Sequence, residues 1–165
     1  MIYIALGGNL DSRAGTPAQT LDAALRALES NAANIVTVSS YYVTPAWPDP
    51  ADPVFVNAVV QIRTRRDPAA LMKLLHETET AFGRIRSTRN APRTLDLDLL
   101  DYDGLVQDGP PLLPHPRIAE RGFVLVPLAE VAPHWRHPVT GRAVHDLIMA
   151  LPQGERAPAR LTSPA

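Results

Sequence analysis

The chain begins with an apolar run from Met1 to Leu6 that stops at Gly7-Gly8, the pattern of a buried strand. Asp11 to Gly15 is a polar connection. Thr16 then offers an N-cap, Pro17 fits the first helical position and Gln19 completes a capping box. Leu21, Ala24, Leu25 and Leu28 follow at helical spacing, and Asn31 to Asn34 closes the helix. Ile35 to Val43, rich in β-branched and aromatic residues, reads as a second strand. Pro45, Pro48, Pro50 and Pro53 make Thr44 to Pro53 an irregular loop. Val54 to Arg63 alternates as a third strand. Val54, Val56, Ala58, Val60 and Ile62 share one face, and Phe55, Asn57, Val59, Gln61 and Arg63 share the other.

Asp67-Pro68 starts a second helix, with Leu71, Leu74, Leu75 and Phe82 as its buried stripe and Gly83 as its stop. Arg84 to Arg93 is a loop. Thr94 to Tyr102 is a fourth strand, with Leu95, Leu97 and Leu99 opposite Asp96 and Asp98. Gly104 to Pro116 is turn-rich. Phe123 to Val131 predicts a short strand running into a helix, and Arg142 to Leu151 a last helix. The order β-α-β-β-α-β is that of an α+β, ferredoxin-like antiparallel sheet with helices on one face, here with C-terminal strand and helix additions. Residues 1–151 are expected to form one domain and 152–165 a flexible tail.

Composition narrows the function. The 165 residues include 16 basic and 17 acidic side chains, a balance unlike that of a nonspecific nucleic-acid binder. There is no cysteine, which excludes disulfides, thiolate metal sites and a cysteine nucleophile. The N-terminus has no basic n-region, and no apolar run approaches the ~20 residues of a membrane span. A cytoplasmic protein without a membrane partner is expected. Lys73 is the only lysine, so arginine supplies nearly all the positive charge.

Two features carry candidate chemistry. Asp96 and Asp98 stand two apart on a strand and so point the same way. They are either a solvated acidic face or a pair that needs a cation, magnesium being the natural one. Asp101 and Asp103 read as turn residues. Arg84, Arg86, Arg89 and Arg93 crowd the preceding loop, either as exposed charge or as forks for phosphate oxygens. The join Arg93-Thr94-Leu95-Asp96-Leu97-Asp98 brings both features together, the layout that phosphoryl transfer needs. Gly7-Gly8-Asn9 is too short for a P-loop, and no Walker pattern is present, so arginines and metal would have to hold any nucleotide.

Pro92-Arg93-Thr94-Leu95-Asp96-Leu97-Asp98 resembles the most distinctive signature of the 6-hydroxymethyl-7,8-dihydropterin pyrophosphokinases of folate biosynthesis. Gly7-Gly8-Asn9-Leu10, Ser39 to Pro45, Phe55-Val56-Asn57-Ala58, Gly83 to Arg86, Pro114-His115 and Arg121-Gly122-Phe123 match in that family's order over residues 1–150. The resemblance implies pyrophosphoryl transfer from ATP to 6-hydroxymethyl-7,8-dihydropterin with release of AMP. It implies two Mg2+ ions on Asp96 and Asp98, and Arg84, Arg93, Arg121 and His115 on the nucleotide. It implies a pterin between Phe55 and Phe123, read by Asn57 with groups near Thr44 and Trp47. Arg84, Arg93, Asp96 and Asp98 would be catalytic, with Glu79 aligned to a nearby acidic position. The product would pass to a separate dihydropteroate synthase.

Asn90, Pro116 and Ala46-Trp47-Pro48-Asp49 depart from that pattern in the arginine loop, beside the nucleotide and in one pterin wall. Three rivals remain at this stage: a single-stranded RNA binder, disfavoured by two aspartates on the open face; a catalytically silent binder; and a phosphotransferase that releases ADP.

Overall fold

A computed structural model describes residues 1–85 and 90–162. The elements run β1 (Ile2–Gly8), α1 (Pro17–Ser30), β2 (Asn34–Val38), β3 (Tyr42–Thr44), β4 (Phe55–Arg63), α2 (Pro68–Ala81), β5 (Asp96–Tyr102), β6 (Gln107–Asp108), β7 (Leu112–Leu113), α3 (Gly122–Val131), α4 (Val144–Met149) and β8 (Ala159–Arg160). The main sheet is antiparallel in the order β5-β1-β4-β3-β8, with β2 also paired to β4. This is the expected ferredoxin-like arrangement. Both helix starts form as read: the Thr16–Gln19 capping box is complete, and Asp67 caps Ala70 N–H at 2.8 Å.

The sheet separates two cores. One face packs Ile4, Leu6, Ala58, Val60, Leu95 and Leu97 against Leu21, Leu28, Leu71 and Leu75 of α1 and α2. The other face packs Tyr3, Val59 and Leu100 under Leu125, Leu128, Trp135 and Leu147. The second cover lies over the face that carries Asp96 and Asp98, so it shapes the floor and walls of the site.

Three expectations need correction. The strand expected over Ile35 to Val43 is two strands, because Ser39 and Ser40 interrupt it. Ser39 Oγ accepts the Val59 N–H at 3.0 Å, replacing a ladder bond by a side chain. Gly122 to Val131 is helical from its first residue, with no strand before it. Its apolar residues face both the sheet and α4, so its pattern has no helical stripe to read. Asp101 is a strand residue, not a turn. A register shift between Tyr3 and Ile4 brings it onto the face of the second core, where it is 4% exposed and accepts Trp135 Nε1–H at 2.8 Å. Beyond Leu151, β8 pairs with β3, and Leu161 N–H donates to Tyr41 C=O at 2.7 Å.

Asp101 also accepts the Gly104 N–H at 2.9 Å. Asp101→Ala would strand both donors, so a loss of about 1–3 kcal/mol is expected in urea unfolding. An unchanged midpoint would show that water replaces the carboxylate.

Candidate active site

Strand β1 ends in glycines because its neighbours come too close for side chains. A Cβ on Gly7 would lie 2.6 Å from Asn57 Oδ1, and one on Gly8 would lie 2.6 Å from the Thr94 carbonyl oxygen. The chain beyond β1 is stitched to the segment before β5. Arg93 C=O accepts the N–H groups of Asn9 and Leu10 at 3.0 and 3.1 Å. Asn9 is 4% exposed; its Oδ1 accepts Arg93 N–H at 2.8 Å and its Nδ2 donates to Pro53 C=O at 3.0 Å. Asn9 therefore ties the proline-rich loop to the arginine segment. Sequence reading named it only as part of a short motif; an amide directly after a glycine-ended strand was the available signal.

The acidic strand and the arginines meet as expected. Arg84 Nη1 donates to Asp96 Oδ1 at 2.6 Å, to Leu95 C=O at 3.1 Å and to Glu79 Oε2 at 3.1 Å. Arg93 Nη1 reaches Asp96 Oδ2 at 3.4 Å, and its guanidinium lies 5.7 Å from the Phe55 ring centroid. Arg86 and Arg89 fall outside the described residues. Burial lowers the Arg84 proton affinity, but bonds to Asp96 and the charges of Asp96, Glu79 and Asp98 more than offset it, so the net shift is upward.

Asp98 has a different environment. Burial first, and then the charge of Asp96, push its carboxyl up to about 7, with Arg121 and Arg84 pulling the other way and Glu79 adding to the rise. Among the described residues no three histidine, aspartate or glutamate side chains converge as a metal cage. Two carboxylates on one strand face suit a hard cation that takes its remaining oxygens from phosphate and water. The donor set fits magnesium.

Glu79 is 2% exposed and bridges α2 to β5, accepting Leu97 N–H at 2.8 Å. It follows Leu71, Leu75 and Thr78 on the buried stripe of α2. A carboxylate at a stripe position was the legible sign of a special role.

The remaining candidates line the same region. Asn57 Nδ2 donates to Thr44 Oγ1 at 2.8 Å, which fixes the amide orientation. The Arg121 guanidinium lies 5.6 Å from the Phe123 ring centroid. Burial and the nearby Arg121 charge hold His115 below the ordinary histidine value, so it is neutral at pH ~7; its Nδ1 accepts Arg117 N–H at 3.1 Å. Trp47 stands apart. It is 71% exposed, and no hydrogen bond or ring contact joins it to Asn57 or Thr44 among the described residues.

A ferredoxin-like sheet with a carboxylate pair between fixed guanidinium groups has the layout of a phosphoryl-transfer protein. The family model of 7,8-dihydro-6-hydroxymethylpterin-pyrophosphokinase (HPPK) matches residues 3–133, and the chain belongs to that family. A 2-amino-4-hydroxy-6-hydroxymethyldihydropteridine pyrophosphokinase of Methylorubrum extorquens is 39% identical over 132 residues, covering 79% of this chain and 82% of the relative. The enzyme of the same name from Pseudomonas aeruginosa is 39% identical over 153 residues, covering 92% and 91%. The wild-type HPPK-DHPS crystal structure of Plasmodium falciparum shares the fold, with a TM-score of 0.69 at 14% identity, over 88% of this chain and 43% of that longer one.

Proposed function

We propose that the chain transfers a pyrophosphoryl group from ATP to 6-hydroxymethyl-7,8-dihydropterin in folate biosynthesis, with Asp96, Asp98, Arg84 and Arg93 at the reacting phosphates. The observation that carries this residue assignment is the direct joining of Arg84 and Arg93 to Asp96, beside a carboxyl at Asp98 that burial and the charge of Asp96 push up to about 7.

In the ligand-free protein the two arginines neutralise Asp96. With nucleotide bound, their forks turn to phosphate oxygens, where planar guanidinium groups match the acceptor geometry. Asp96 and Asp98 would hold the magnesium, two ions by the family resemblance, and the metal would supply neutralisation of phosphate charge. Arg121 and neutral His115 add donors on the nucleotide. Glu79, held in the core, keeps Arg84 close to β5 while its charge partner changes. The flat pterin stacks between Phe55 and Phe123, and the fixed amide of Asn57 reads its polar edge, helped by backbone groups near Thr44 and Trp47. The attacking hydroxymethyl group needs no strong base, since a loose transition state asks little of the nucleophile.

No helix among the described residues is long and apolar enough to cross a membrane; the cytoplasm is the place of work proposed. The product is proposed to pass to a dihydropteroate synthase.

Product analysis tests this reading. Purified protein with ATP, magnesium and 6-hydroxymethyl-7,8-dihydropterin is expected to release AMP, and excess EDTA to stop it. ADP as product would overturn the pyrophosphoryl assignment. Undiminished AMP release in EDTA would overturn the metal assignment.

A further inference from the structure

The carboxylate of Glu130 gathers three donors, two from Ser40 in the interruption between β2 and β3 and one from Tyr42 at the start of β3. One oxygen accepts Ser40 N–H at 2.9 Å and the Ser40 hydroxyl at 2.7 Å; the other accepts the Tyr42 hydroxyl at 2.7 Å. Arg160 of β8 lies over the same tyrosine ring, 5.9 Å from its centroid. Partial burial raises the Glu130 carboxyl. The bonds from Tyr42 and Ser40 and the charge of Arg160 more than offset this, so it sits below the usual glutamate value and stays ionised.

This cluster is remote from Asp96 and Asp98 but is connected to the proposed pterin walls at both ends. Tyr42 pairs with Asn57 across the ladder, and Thr44 pairs with Phe55. Directly opposed residues point to the same face. The strand that Glu130 grips therefore carries Thr44, the acceptor that fixes the Asn57 amide. Glu130 itself is near the C-terminus of α3, and Phe123 is near the N-terminus of that helix, roughly two turns away. Pro127 lies between them and has no N–H to bond the Phe123 C=O, yet α3 runs unbroken from Gly122 to Val131, so the two residues sit on one continuous element. By itself β3 has three residues, too few to hold a register firmly without outside support.

We propose that Glu130 is a positioning residue for the pterin: it locks β3 onto α3, and so sets the spacing between the Phe55–Asn57–Thr44 wall and Phe123. This rests on the pterin reading above. None of the groups it bonds belongs to the proposed nucleotide or metal set, so its loss should be felt by one substrate and not the other.

The test compares wild type with Glu130→Ala, Glu130→Gln and Tyr42→Phe, by steady-state kinetics in both substrates and thermal melting. Glu130→Ala is expected to raise the pterin KM by roughly fivefold to tenfold, with the ATP KM within about twofold of wild type. Glu130→Gln keeps an oxygen for Ser40 and is expected to recover most of the loss. Tyr42→Phe removes one donor only and should fall between. Should Glu130→Ala fail to fold, Tyr42→Phe and Glu130→Gln still give the pterin KM. An unchanged pterin KM in the folded variants would overturn the proposal. So would equal rises for pterin and ATP, the mark of a merely structural role. A wild type that releases no AMP would instead overturn the pyrophosphokinase reading, and this inference with it, before any variant is compared.

Discussion

Asp98→Asn is expected to abolish turnover and, in the same protein, to raise the melting temperature. The carboxyl of Asp98 is held up to about 7 by burial and by the charge of Asp96, so its ionisation opposes folding. The unfolded chain gives up this proton near the ordinary 3.8. Between those values the folded state binds the extra proton, and stability falls as pH rises. The penalty is fully present above pH 7 and absent below 3.8. An asparagine of the same shape removes it. A gain of about 1–3 kcal/mol, a few degrees in melting temperature, is expected at about pH 8, shrinking toward zero at about pH 4. Without the second carboxylate the cations lose a ligand, and AMP release should fall by at least about a thousandfold. Melting curves at the two pH values check the first half and product analysis the second. A variant that turns over normally would remove Asp98 from the metal site. One that is destabilised at high pH would mean that Arg121 and Arg84 outweigh Asp96 there.

Gly8→Ala is expected to damage fold and site together. Its Cβ would lie 2.6 Å from the Thr94 oxygen and 3.2 Å from the Thr94 carbonyl carbon, and backbone cannot rotate out of the way as a side chain can. The nearest relief is outward movement of Arg93 and Thr94, away from the bonds that Arg93 makes with Asn9 and Leu10. A loss of about 2–4 kcal/mol is expected in urea unfolding. Displacing the Arg93 guanidinium by even ~1 Å should cost about a hundredfold in turnover. Normal stability with lost activity would show that the segment yields cheaply but that the arginine position matters. Normal activity would show that Arg93 adjusts within its loop.

Much of this site could be read from the sequence because its parts are periodic or contiguous. Asp96 and Asp98 alternate with leucines, so their common face followed from strand geometry alone. Arg93 adjoins them, and the structure joins it and Arg84 to Asp96. The capping box at Thr16 is local chemistry, complete within four residues. What escaped reading depends on contacts between distant segments. Nothing within Ile35 to Val43 reveals that Glu130 waits to satisfy Ser40. The register shift that turns Asp101 toward Trp135 arises from the pairing with β1 and has no signature in β5 alone. Helix α3 looked partly like a strand because its neighbours bury most of its sides.

The hold of α2 on β5 reaches beyond catalysis. As the last strand on its side of the sheet, β5 would ordinarily present a row of bare amide and carbonyl groups to any other extended chain. Glu79 instead takes the Leu97 N–H and Arg84 takes the Leu95 C=O. At the opposite border stands β8, only two residues long. The same ion pair that steadies an arginine for phosphate thus also covers the first end of a sheet border, where His115 N–H takes the Leu100 C=O further along, and variants that break the pair should be watched for aggregation as well as for lost turnover.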